Sequence, residues 1–187
     1  KYDGAYAFND GMAIVKLDGK YGFINATGNE VIPCKYDSAE SFSEGLAAVK
    51  LDGKYSFIDK TGAEVIPCKY DSARSFSEGL AAVGFDGKFG FIDNAGKEVI
   101  PCKYESVDGF SKGMAQVKLD GKYGFIDKTG NEIISCKYDR IYRADDVNGG
   151  EIDGKCGFVV NAGKEVVPCV YGSVRCLGDN FFQIGTL

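Results

Sequence analysis

One phrase recurs along this chain at nearly fixed intervals, so the fold must give every copy an equivalent environment. Lys20, Lys54, Lys88, Lys122 and Lys155 each open it. It reads KYGFINATGNEVIPC from Lys20, KYSFIDKTGAEVIPC from Lys54 and KFGFIDNAGKEVIPC from Lys88, then KYGFIDKTGNEIISC from Lys122 and KCGFVVNAGKEVVPC from Lys155. A second phrase alternates with it, KYDSAESFSEGLAAVKLDG from Lys35 and KYDSARSFSEGLAAVGFDG from Lys69. The chain opens on a copy of this second phrase at Lys1 and closes on a degenerate one from Val170. The spacing is 34 residues three times and then 33. Residues 1–187 thus read as a single repeat array, with units 1–34, 35–68, 69–102, 103–136 and 137–169 and a half-unit 170–187.

A 34-residue period is also that of a helical tetratricopeptide array. The local chemistry rejects helices. Each unit carries about four glycines and most carry a proline, too many breakers for two helices. Asp18-Gly19, Asp52-Gly53, Asp86-Gly87, Asp120-Gly121 and Asp153-Gly154 each sit between apolar runs. Asp-Gly there signals a type I′ hairpin, whose two turn residues both need positive φ.

Each unit therefore reads as a three-stranded β-meander. In the second unit the strands are Leu46–Leu51, Lys54–Asp59 and Glu64–Cys68, with a Lys60-Thr61-Gly62 turn before the last. Tyr70–Gly79 follows as an irregular connector with Tyr70 and Phe76 as apolar anchors. Pairing across Asp52-Gly53 places Ala47, Val49 and Ile58 on one face and Leu46, Ala48, Tyr55 and Phe57 on the other. Both faces are apolar, so each hairpin must be covered on two sides by neighbouring units or connectors. The fold expected is all-β: tandem three-stranded units forming an open, solenoid-like superhelix. The alternative is a five-bladed β-propeller, although blades ordinarily hold four strands in about 40 residues.

The phrases Lys-aromatic-Gly-Phe-Ile-Asp, Glu-Val-Ile-Pro, Lys-Tyr-Asp and Phe-Ser-Glu-Gly-Leu-Ala-Ala-Val resemble the bacterial WG, or KWG, repeats over almost the whole chain. The departure is the family's tryptophan, whose place is taken by Tyr21, Tyr55, Phe89, Tyr123 and Cys156. An aromatic ring kept in four of these five places suits a packing role. The resemblance implies an all-β repeat that often stands beside other domains, and it implies no reaction.

Composition removes several function classes. Histidine is absent, which excludes Ser-His-Asp and Cys-His catalysis and the commonest metal ligand. A net charge of −5 with singly scattered Lys and Arg argues against nucleic acid. No apolar run approaches the roughly 18 residues of a membrane helix, so no membrane insertion is expected. The first residue is Lys1 rather than Met, as in a fragment or a processed chain.

Cys34, Cys68, Cys102, Cys136 and Cys169 share one repeat position, and Cys156 and Cys176 lie outside the series. They form no C-x₂-C pair and lie too far apart for disulfides, so they read as buried, free, small apolar residues. Seven thiols, an odd number, favour a reducing or anaerobic setting, and so the cytoplasm over export. Asp52, Asp59, Glu64 and their equivalents lack the calcium-loop pattern and read as turn chemistry and solvated strand positions. Asn25-Ala26-Thr27 matches a glycosylation sequon, but its siblings mark it as a turn. Lys20 and its equivalents read as solvated hairpin shoulders. Neither a metal nor a cofactor is expected.

One connector position varies while its surroundings repeat: Tyr6, Glu40, Arg74, Asp108, Tyr142 and Arg175. Free change of sign and shape implies solvent exposure, and in repeat arrays such positions write the binding face. The expectation is a non-catalytic module that binds or scaffolds a protein or glycan partner. The alternative is a structural spacer or surface element of a larger bacterial protein. An enzyme would need residues that break the repeat. Only Cys156, Asp145-Asp146-Val147-Asn148-Gly149-Gly150 and Cys176 do so, and capping accounts for them.

Overall fold

The computed structural model describes residues 1–143, 147–178 and 181–185, and these form strands and turns with no helix. The first sheet joins β1 (Gly4–Asn9), β2 (Met12–Leu17), β3 (Lys20–Asn25) and β4 (Glu30–Tyr36). The second joins β5 (Ser38–Ala39), β6 (Leu46–Leu51), β7 (Lys54–Asp59) and β8 (Glu64–Tyr70). The third joins β9 (Ser72–Ala73), β10 (Leu80–Phe85), β11 (Lys88–Asp93) and β12 (Glu98–Tyr104). The fourth joins β13 (Ser106–Val107), β14 (Met114–Leu119), β15 (Lys122–Asp127) and β16 (Glu132–Tyr138). The fifth joins β17 (Arg140–Tyr142), β18 (Val147–Ile152), β19 (Lys155–Val160) and β20 (Glu165–Tyr171). A hairpin of β21 (Ser173–Gly178) and β22 (Phe181–Gly185) ends the series. Two compact units emerge: residues 1–103 with 107–113, and residues 104–106 with the chain from Met114 onward.

Five of the six sheets thus have four strands where the sequence predicts three. The added strand lies in the connector, where Ser38 and Ala39 pair with Lys50 and Val49. The Asp37 N–H donates to the Lys50 carbonyl at 2.8 Å and the Glu40 N–H to the Ala48 carbonyl at 2.8 Å, extending the ladder on both sides. Two residues are too few to show a period of two, so pattern reading misses them. Four strands is the number of a propeller blade, so strand count no longer separates the two architectures.

The Asp-Gly turns form as expected, with φ of 49° at Asp52 and 84° at Gly53. A second positive-φ pair, unrecognised in the sequence, stands at Glu44 (55°) and Gly45 (84°), between Ser43 and Leu46. Positive φ is uncommon for Glu, which hides this turn. The carboxylate repays the conformation by reaching the next repeat. Glu44 Oε2 accepts the Gly79 N–H at 2.9 Å, Asp10 Oδ2 the Gly45 N–H at 2.7 Å, and Glu78 Oε2 the Gly113 N–H at 3.0 Å.

Within the first unit the sheets cover one another as the predicted faces require. Ala47, Val49 and Ile58 pack with Met12, Ile14, Phe23 and Ile32 of the first sheet. Leu46, Ala48 and Phe57 pack with Ala81, Val83 and Ile92 of the third. Connector phenylalanines fasten these layers: Phe42 meets Phe23 edge-on at 4.8 Å, Phe76 meets Phe57 at 5.1 Å and Phe110 meets Phe91 at 4.7 Å. All six rings are buried. Within the second unit, Met114, Phe125, Ile134, Tyr138, Ile141 and Val159 form the corresponding core.

Candidate functional site

The variable row begins with β-strand alternation. Ala39 is partly buried, and Ala73, Val107 and Ile141 are buried, so the residue after each points outward. Glu40, Arg74, Asp108 and Tyr142 all do so. The Arg74 N–H donates to the Ala82 carbonyl at 3.0 Å, tying the main chain while the side chain stays in water. Tyr6 is 51% exposed and Tyr142 56%; the Arg74 and Asp108 side chains are 57% and 58% exposed. Arg175 lies in β21, but its side chain is outside the described residues.

In the first unit, Arg74 Nη1 lies 3.7 Å from Asp108 Oδ1, so two members of the row 34 positions apart form an ion pair. At its start, the Tyr6 ring is tilted against Tyr21 at 6.5 Å, and Lys16 Nζ stands 5.1 Å over the Tyr21 ring. In the second unit, the Tyr142 side chain hydrogen-bonds Arg140, which holds that guanidinium further toward its charged form.

The acidic residues have structural work to do. Asp59 Oδ1 accepts the Thr61 hydroxyl at 2.6 Å, the Thr61 N–H at 2.8 Å and the Ala63 N–H at 3.0 Å. Asp127 repeats this on Thr129 and Asn131, and Asn25 on Thr27 and Asn29. Asp59 is therefore a turn cap rather than a merely solvated strand residue. These bonds hold the Asp59 and Asp127 carboxyls below their ordinary range, the Thr61 and Thr129 hydroxyls contributing most. Among the described residues, no group of three or more His, Cys, Asp or Glu could hold a metal ion.

Lys20 is also more than a solvated shoulder: its Nζ lies 2.5 Å from Asp37 Oδ1. Lys54 pairs in the same way with Asp71, and Lys122 lies 2.5 Å from Asp139. The same carboxylates cap hairpin turns, Asp71 accepting the Asp86 N–H at 3.0 Å and Asp139 the Asp153 N–H at 2.8 Å.

The six described cysteines are free thiols, but the expected full burial is not found. Cys34, Cys102, Cys136 and Cys169 are half-buried and Cys68 is exposed. They sit on edge strands, where a side chain has a neighbour on one side only. Thiol contacts run to carbonyls, as from Cys169 to Gly150 at 3.3 Å. Partial burial raises the pKa of Cys102 and Cys169 above the ordinary thiol value. The Cys176 side chain is outside the described residues.

A family model described as a WG containing repeat matches residues 1–21, 21–55, 55–89, 89–123 and 123–146. No curated protein matches the chain. Among solved structures, Kluyveromyces lactis Hsv2 with its complete loop 6CD is similar at a TM-score of 0.53 and 11% identity, over 86% of this chain and 60% of that one. A structure described as the eukaryotic initiation factor is similar at a TM-score of 0.52 and 10% identity, over 92% of this chain and 57% of that one. The chain therefore spans less than two thirds of either. At these identities the likeness is one of fold alone, and it is to β-propeller-like structures.

Proposed function

We propose a function on one premise: this chain belongs to the family of WG-containing repeat proteins. It is a repeat-based binding or structural domain. In the reading favoured here it works without catalysis and holds a protein or glycan partner through its exposed connector positions. One observation carries this reading. A connector position that changes charge and shape from repeat to repeat is exposed in all five described copies, directly after buried residues at Ala73, Val107 and Ile141. Tyr and Arg, which occupy it at Tyr6, Arg74 and Tyr142, are the residues most often found at binding hot spots. The acidic balance of the chain disfavours nucleic acid as the partner.

The alternative, a structural spacer, draws on the Arg74–Asp108 pair, through which row members satisfy one another. Parallel screens of glycan and peptide arrays separate the two. The binding reading expects saturable ligands that are lost in a Tyr6→Ala, Arg74→Ala, Tyr142→Ala variant and kept by a variant altered at the Asp-Gly hairpin tips. Ligands equally retained by both variants, or none at all, would favour the spacer.

A further inference from the structure

Three junctions within the first compact unit are built alike. Phe42, Phe76 and Phe110 each lie against a phenylalanine of the sheet before, Phe23, Phe57 and Phe91, and all six are at most 2% exposed. A glycine three residues after each donates its N–H to a carboxylate of the repeat before: Gly45 to Asp10, Gly79 to Glu44 and Gly113 to Glu78. At two junctions a serine hydroxyl of the repeat before also donates to the phenylalanine carbonyl, Ser43 to Phe76 at 2.8 Å and Ser77 to Phe110 at 2.7 Å. Units of a repeat array contact only their neighbours, so these groups define what one unit receives from the unit ahead of it.

The first sheet carries the same receiving groups. Phe8 holds the place of Phe42, Phe76 and Phe110, yet it is 51% exposed. Asp10 and Gly11 form the same turn as Glu44 and Gly45, with φ of 51° and 81°. The register sets Phe8 opposite Ala13 and Ala13 opposite Ile24, so Phe8 and Ile24 share a face. Ile24 is half-buried there, whereas Ile58 and Ile92, packed on the sheets before them, are buried. Ala13 and Val15 are already buried, so the open part of the face is Phe8 and Ile24. A capping repeat shows a polar outer face, and this one is apolar.

Lys1 and Tyr2 select what covers it. Lys1 Nζ lies 3.4 Å from Glu30 Oε2, and the Tyr2 hydroxyl donates to the same oxygen at 2.8 Å. In the second compact unit, Lys137 Nζ lies 2.7 Å from Glu165 Oε1, and the Tyr138 hydroxyl donates to that oxygen at 2.9 Å. Lys137 and Tyr138 are the last residues of β16, the fourth strand of its sheet. Lys1-Tyr2 therefore stands toward the first sheet as the end of a fourth strand stands toward the sheet that follows it. We infer that the face of Phe8 and Ile24 seats one more WG-containing unit, whose fourth strand runs into Lys1-Tyr2. That unit sets a phenylalanine against Phe8, a carboxylate on the Gly11 N–H and a hydroxyl on the Phe8 carbonyl. The inference does not rest on the binding reading of the connectors.

A chain lengthened by a copy of residues 35–68 ahead of Lys1, which reproduces the Cys68-Lys69 join, tests this beside the parent. Hydrogen exchange at the Gly11 N–H is expected to slow about tenfold or more in the lengthened chain, and alanine at the added copy of Glu44 to restore the parent rate. Phe8→Ala is expected to leave the urea midpoint of the parent unchanged and to lower that of the lengthened chain, as Phe42→Ala lowers the parent's. Gly11 exchange and a Phe8→Ala effect that are the same in both chains overturn the inference. So does a parent chain that dimerises in sedimentation equilibrium and loses the dimer on Phe8→Ala, which would give the face to a second copy.

Discussion

Ser56 and Cys68 depart together from the pattern of their repeats: Ser56 stands where the other four units have glycine, and Cys68 is the exposed member of its cysteine series. The glycines make room for the neighbouring strand. A Cβ on Gly124 would lie 2.4 Å from the Ile134 carbonyl oxygen and 2.9 Å from Cys136 Sγ, and a Cβ on Gly22 would lie 2.5 Å from the Ile32 carbonyl oxygen. Ser56 brings a real Cβ into that space and is itself buried. The Cys68 thiol instead contacts the Lys54 carbonyl at 3.3 Å.

Ser56→Gly is expected to draw the Cys68 thiol back toward the sheet and slow its labelling by a thiol reagent. Gly124→Ser should do the reverse to Cys136. If Cys68 labels at the same rate with and without the Ser56 hydroxymethyl group, the coupling is absent.

Acid should destabilise the protein. Asp37, Asp71 and Asp139 are held below their ordinary pKa chiefly by Lys20, Lys54 and Lys122, Asp10 by Lys60, and Glu165 by Lys137. A carboxyl whose folded pKa is lowered adds stability above its unfolded value, and that stability fades as pH falls through the folded value. The loss should begin near pH ~4, the ordinary carboxylate range, and deepen below it. Denaturant midpoints measured from pH 6 to pH 2 check this, and a flat profile across that range would contradict it.

Glu44→Ala and Glu78→Ala should each cost about 1 kcal/mol, the net worth of a typical hydrogen bond. Each removes the acceptor for a glycine N–H of the following repeat. Gly45→Ala should also destabilise, because its φ of 84° is strained for any residue with a Cβ. Urea unfolding of the single variants reads both effects, and stability unchanged by Glu44→Ala would remove this link between repeats.

Much of this fold was legible because the repeat states each instruction several times. Asp-Gly placed the hairpins, and alternation across Asp52-Gly53 assigned Val49 and Phe57 to opposite, separately covered faces. What escaped was carried by single residues or pairs. Ser38-Ala39 is too short for alternation to register, and Glu44 adopts a conformation its type rarely takes. The cysteines were placed too deep because Pro33 and its equivalents, read as strand ends, are the exposed middles of edge strands. The exposure of the connector row was legible from variation alone, since a position that accepts Tyr, Glu, Arg and Asp cannot be packed.

The account rests on a division of labour within one short connector, where Arg74 faces water and Phe76, two residues on, is buried against Phe57. Equilibrium urea unfolding of single alanine variants at Tyr6, Glu40, Arg74, Asp108 and Tyr142, beside Phe42→Ala and Phe76→Ala, measures that division directly. The row variants should each stay within about 0.5 kcal/mol of the parent, as exposed substitutions do. The two phenylalanine variants should lose about 3–5 kcal/mol, the cost of emptying a buried aromatic site. Row variants that cost as much as the phenylalanines would show these side chains to be part of the packing and unavailable to a partner.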